Sequence, residues 1–157
     1  MRKWILSGIG ILLLIIALFS IVYLRALNPV KLAEEKAIAA ANKKVKLVEI
    51  QDVQIYNGNE TYYVLKGINQ QKQKVIVWVS AKNGDVTVRK AKDGITQQQA
   101  VTKLLQEENP QKIISVKLAM IKKQQCWEIY YLSHNNLINY YYVDFETGEW
   151  LRKVENM

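Results

Sequence analysis

The sequence predicts an α+β protein in which an N-terminal transmembrane helix is followed by two small units, each a helix leading into an antiparallel sheet. Three observations predict it. Trp4 to Leu24 is an unbroken apolar run. From Leu47 onward, stretches rich in Val, Ile, Tyr and Trp alternate with Asn, Gly and Gln, the pattern of short strands and turns. The order of elements then returns about 64 residues later.

Trp4 to Leu24 reads WILSGIGILLLIIALFSIVYL, which as a helix rising 1.5 Å per residue spans roughly the 30 Å of a bilayer's hydrocarbon core. It is longer than the apolar core of a signal peptide and is followed by no convincing cleavage site. Nor is there a lipoprotein cysteine, because the single cysteine is Cys126. Trp4 and Tyr23 stand at opposite ends, as interfacial anchors do, and Arg2 and Lys3 hold the short tail in the cytoplasm, although Arg25 and Lys31 beyond the run weaken that bias. The expected topology is therefore single-pass in the cell membrane, with a cytoplasmic N-terminus and an extracellular C-terminal domain. Residues 1–27 are tail and anchor, 28–91 the first helix-plus-sheet unit and 92–157 the second.

The anchor helix is expected to break at Asn28-Pro29, since proline restricts the residue before it and suits the first turn of a new helix. In that second helix Ala33, Ala37 and Ala41, with Ile38 and Val45, form a stripe of mostly small residues able to lie close to a sheet. Leu47–Tyr56, Thr61–Ile68 and Lys74–Ser80 follow as strands. Asn83-Gly84 offers residues of positive φ for a tight hairpin into a fourth strand at Val86 and Val88.

The second unit begins at Thr96, three residues before Gln99, the spacing of a reciprocal helix cap. Ala100, Val101, Leu104 and Leu105 form its apolar stripe. Lys112–Ile121, Gln125–Leu132 and Ile138–Phe145 are its strands, and Thr147-Gly148 turns the chain into Glu149–Val154. Gly84 and Gly148 are 64 apart and Val30 and Ile95 are 65 apart, while an aromatic residue, Trp78 or Tyr142, lies six before each turn glycine. Units this small are marginal alone and are expected to pack on each other and unfold together.

Composition narrows the function classes. The net charge is +8, but beyond Arg25 there are 19 Lys and Arg scattered among all 14 acidic residues, without the basic stripe of a nucleic-acid binder. One cysteine allows neither an internal disulfide nor a redox pair. His134, the only histidine, lies in the polar stretch Ser133-His134-Asn135-Asn136, where an exposed loop is the simplest reading. Glu34-Glu35 and Glu107-Glu108 are consecutive on helices and diverge by about 100°, which suits solvent better than a metal. No phosphate loop or dinucleotide fingerprint occurs. The expectation is a protein without catalytic residues, metal, cofactor or small-molecule substrate; whether any two carboxylates stand at glycosidase spacing is a property of the fold.

The aromatic residues are more informative. Tyr130, Tyr131, Tyr140, Tyr141 and Tyr142 fall on two neighbouring strands, and alternation sends some to each face. Those facing away from the helix, with Trp150 beyond the turn, make Tyr140, Tyr142 and Trp150 the candidate partner-binding residues. The competing reading is packing between the two units of the same chain.

Taken with the basic tail and anchor, the Ala-rich helix Leu32–Lys44, the stretch Glu60-Thr61-Tyr62-Tyr63-Val64-Leu65-Lys66-Gly67, Val77-Trp78-Val79, and Tyr142-Val143-Asp144-Phe145-Glu146-Thr147-Gly148-Glu149, the chain resembles the TseB-like (YpmB-like) cell-wall elongation regulators of low-GC Gram-positive bacteria, which carry PepSY-type, cystatin-like units. The last stretch is similar to the D-x-x-T-G hairpin that closes a PepSY unit; Ala81-Lys82-Asn83-Gly84-Asp85 departs from that motif in the first. The resemblance implies a noncatalytic extracytoplasmic protein that contacts a membrane-bound class B penicillin-binding protein and regulates peptidoglycan elongation. PepSY units also imply, by analogy, inhibition of a secreted or wall-associated peptidase.

Overall fold

A computed structural model describes residues 2–155 and, within them, all side chains except those of residues 2–9, 11, 22 and 24–28. The chain divides into two compact units, 1–36 and 37–157. One helix, α1 (Arg2–Val45), passes from the first into the second with Pro29 inside it. The break expected at Asn28-Pro29 does not occur. A proline deletes one backbone hydrogen bond and crowds the preceding turn, but Ala, Leu, Lys and Glu on both sides favour continuing the helix. Among the described residues no helix is long and apolar enough to cross a membrane. The predicted anchor, Trp4 to Leu24, lies within α1, and many of its side chains fall outside those described.

Within 37–157 the remaining elements are β1 (Leu47–Asn57), β2 (Thr61–Asn69), β3 (Lys74–Ser80), β4 (Val86–Lys90), a short 3₁₀ turn at Ala91–Asp93, α2 (Gln97–Glu107), β5 (Lys112–Ile121), β6 (Gln124–Leu132), β7 (Ile138–Asp144) and β8 (Trp150–Val154). They form two four-stranded antiparallel meanders, β1-β2-β3-β4 and β5-β6-β7-β8. The strands agree with the sequence reading to within a residue or two.

The duplication is visible atom by atom in the last hairpin of each sheet. The N–H of Ser80 donates to Asp85 O and that of Gly84 to Ser80 O; in the second sheet Asp144 N–H donates to Glu149 O and Gly148 N–H to Asp144 O. Gly84 (φ 74°) and Gly148 (φ 70°) occupy the left-handed position that closes each turn, which glycine adopts without steric cost. Asn83 does not share that conformation, so this is a longer loop closed by one left-handed glycine rather than the two-residue turn expected from Asn83-Gly84.

Thr96 caps α2 as predicted: its hydroxyl accepts from Gln99 N–H, and the Gln99 side chain accepts from Thr96 N–H at 2.7 Å. This settles two of the orphan donors at the helix start. Ala100 and Leu104 are fully buried. They join one cluster containing Tyr62, Val64, Ile76 and Trp78 of the first sheet with Leu118, Trp127, Ile129, Val143 and Phe145 of the second half. The Trp78 indole N–H donates to Ala119 O across 41 residues at 3.1 Å, and its ring meets Phe145 edge-on with centroids 5.5 Å apart. The two meanders thus share a core. On the other face of the first sheet Leu65, Val75, Val77 and Val79 are buried as well, which calls for a second covering layer. Ala37 and Ala41, the buried positions among the described side chains of α1, supply small helical side chains suited to it.

Candidate functional site

Because side chains alternate along a strand, the second sheet sorts its tyrosines between two environments. Tyr131 and Tyr141 are buried on the side of α2, with the Tyr141 hydroxyl donating to Glu107 Oε2 at 2.7 Å. The Trp127 indole N–H donates to Ile95 O on the same side. Tyr130, Tyr140 and Tyr142 take the opposite face and form a stack: centroids are 4.9 Å apart between Tyr130 and Tyr140 and 6.5 Å between Tyr140 and Tyr142, with near-parallel rings. Tyr130 faces Tyr140 across the β6–β7 ladder, and Glu128 faces Tyr142.

Glu128 is the one carboxylate of β6, and it accepts a 2.8 Å hydrogen bond from the Tyr142 hydroxyl. Burial raises its pKa above the ordinary carboxylate value, offset in part by that hydrogen bond and by Lys117. Burial and the nearby Glu128 charge push Tyr56, at the end of β1, up to about 12. Gly58 permits the β1–β2 tip to fold over this ring, since a Cβ there would sit 2.5 Å from the Tyr56 hydroxyl oxygen. Tyr56, Asn59, Met120, Glu128, Tyr142 and Arg152 line a hollow of about 340 Å³ between that tip and the tyrosine stack.

Of the candidate partner-binding residues, Tyr140 is half-buried and lines this hollow, Tyr142 is only 9% exposed at its floor, and Trp150 is 54% exposed outside it. Tyr140 and Tyr142 come together, whereas Trp150 stands apart on β8. Tyr142 is thus as much a packing residue as a surface one. Sequence reasoning missed Tyr56, Glu128 and Arg152. A lone carboxylate between Trp127 and Ile129 was the signal available for Glu128; Tyr56 and Arg152 reach the site only through the packing of one half on the other.

His134 is exposed in the β6–β7 loop. Cys126 is fully buried, and its thiol is pushed up to about 12 by burial and by the charges of Glu128 and Asp144, which makes it inert at neutral pH. Among the described residues no group of three His, Cys, Asp or Glu is placed to hold a metal ion.

The D-x-x-T-G stretch has a physical explanation. Asp144 Oδ1 accepts the N–H groups of Glu146 and Thr147 at 2.8 and 2.7 Å, and Oδ2 accepts the Gln124 amide at 2.8 Å. Burial alone would raise its pKa, but the hydrogen bonds from Thr147, Gln124 and Glu146 outweigh it and hold the carboxyl below its ordinary value.

A helix leading into a four-stranded meander that Asp144 and Gly148 close defines a protein of the PepSY type, and residues 94–154 match the model of the peptidase propeptide and YPEB domain. Residues 36–80 match the cell wall elongation regulator TseB-like domain. The chain is 32% identical over 147 residues to the probable cell wall elongation regulator TseB of Bacillus subtilis (strain 168), covering 92% of this chain and 91% of that protein. It superposes on the YpmB protein from Bacillus subtilis with a TM-score of 0.73 at 32% identity, over 77% of this chain and 95% of the other. The chain belongs to the TseB-like family of cell wall elongation regulators.

Proposed function

We propose that this chain is a single-pass, membrane-anchored regulator that acts outside the cytoplasm on cell-wall elongation, by contacting a membrane-bound wall-synthesis enzyme of the class B penicillin-binding type. The observation that carries the reading is the 32% identity to the probable cell wall elongation regulator TseB across 92% of the chain. The apolar run Trp4 to Leu24 behind Arg2 and Lys3 supports the anchor. Confinement to one membrane raises the effective concentration of a partner, so modest affinity suffices. Trp150, exposed on the edge strand β8, is suited to an interface because a large aromatic there loses little conformational freedom on binding.

Crosslinking in intact membranes should capture a penicillin-binding protein with the wild-type chain. Trp150→Glu should reduce that capture without lowering the melting temperature. A reporter fused after Met157 that is active only in the cytoplasm, or capture unchanged by Trp150→Glu, speaks against the reading. A second reading, inhibition of a secreted or wall-associated peptidase, is favoured by the peptidase-propeptide match over residues 94–154. Dose-dependent inhibition of such peptidases by the purified chain would promote it.

A further inference from the structure

Left-handed backbone is costly for any residue with a Cβ, yet both residues of the β5–β6 turn, Lys122 (φ 48°) and Lys123 (φ 68°), adopt it. A two-residue hairpin turn of this kind favours Asn-Gly or a similar pair, so the two lysines hold a backbone unfavourable to them, as Lys46 (φ 37°) and Lys72 (φ 57°) do singly elsewhere; here two such lysines are adjacent at one hairpin tip. Both side chains are exposed, and among the described residues neither forms an ion pair. They line a hollow of about 330 Å³ beside Asn59 and Tyr62. Met120 lines this hollow, the 340 Å³ hollow at the tyrosine stack and a third of about 240 Å³ bordered by Lys82 and Asp85. Together they make one open groove across the hairpin tips.

Its acids already have internal donors: Tyr62 OH to Glu60, Asn83 to Asp85, Tyr142 OH to Glu128. Its lysines do not. We infer that this groove, between the β1–β2 and β5–β6 tips, binds a carboxylate-bearing glycan strand, with Lys122 and Lys123 engaging the carboxylates. Sugar hydroxyls find acceptors in Glu60, Asp85 and Glu128 and donors or acceptors in Asn59 and the tyrosine hydroxyls, while Met120 offers an apolar floor beneath a sugar ring. An acidic peptide carries a charge at every residue and no hydroxyls to donate to those three carboxylates, and an anionic lipid surface would meet a projecting basic face rather than a concave one.

This inference rests on the wall-regulator reading for the identity of the polymer. The test uses the full chain in nonionic detergent with amidase-released peptidoglycan glycan strands, uncharged chito-oligosaccharides of matched length, poly-glutamate and anionic vesicles as separate probes. Binding should favour the carboxylate-bearing strands. Lys122→Asn with Lys123→Gly should weaken it by about tenfold or more, one charge-assisted contact being worth that much, and raise the melting temperature by a few degrees. Lys122→Gln with Lys123→Gln should weaken binding equally without that thermal gain. No binding to the glycan, binding unchanged in both pairs, or preference for poly-glutamate or vesicles overturns the inference. Complementation of an elongation-defective strain separates the two claims: glycan binding without rescue sinks the regulator, and rescue without glycan binding sinks only the groove.

Discussion

Asp144 and Glu128 face opposite electrostatic situations two strand positions from one another in the β6–β7 ladder. Asp144 is satisfied by three N–H donors and prefers its charge; folding therefore favours the ionised form, and that stability is present above the unfolded pKa and lost as pH falls through the lower folded one. Asp144→Asn should cost roughly 1–2 kcal/mol at neutral pH, the scale of charge-assisted hydrogen bonds. Denaturant titrations should show that difference shrinking in acid. Glu128 behaves in reverse. Between its ordinary pKa and the raised one, the folded state keeps a proton that the unfolded chain has released, so stability falls as pH rises through that window. Glu128→Gln, which keeps an acceptor for Tyr142, should raise the melting temperature at neutral pH and leave it nearly unchanged below the ordinary carboxylate pKa.

Elements formed by local signals were legible in the sequence. The cap at Thr96 and Gln99 and the closing glycines Gly84 and Gly148 need only neighbours a few residues away, and all three appear where the residues put them. Thr96→Ala should cost about 1 kcal/mol, seen as a lower denaturation midpoint with unchanged slope. Where two local preferences compete, the sequence misleads. Pro29 argued for a boundary, but its cost falls on one turn while helix formers on both sides act over many residues, and α1 continues. The lysine pair of the β5–β6 turn carries no turn signature at all, so its left-handed backbone shows only in the folded chain. Likewise Tyr140 and Tyr142 were recognisable as one face of a sheet, but Tyr56, which completes their hollow, comes from 84 residues earlier than Tyr140 in the chain.

For the molecule as a whole, the duplicated halves are chemically unequal partners. Trp78 of the first sheet is fully buried, bonded to Ala119 and packed on Phe145 of the second. Trp78→Ala should destabilise residues 37–157 by about 3–5 kcal/mol, and the loss should appear as one shifted transition by both near-UV and far-UV circular dichroism. Separate transitions for the two sheets would contradict the shared core. The indole's reach from one meander into the other also bears on the life of the protein in the cell. A product truncated between the halves would display an uncovered tryptophan and a bare apolar sheet, the kind of surface that housekeeping proteases recognise, so fragments should be cleared and only complete copies should accumulate.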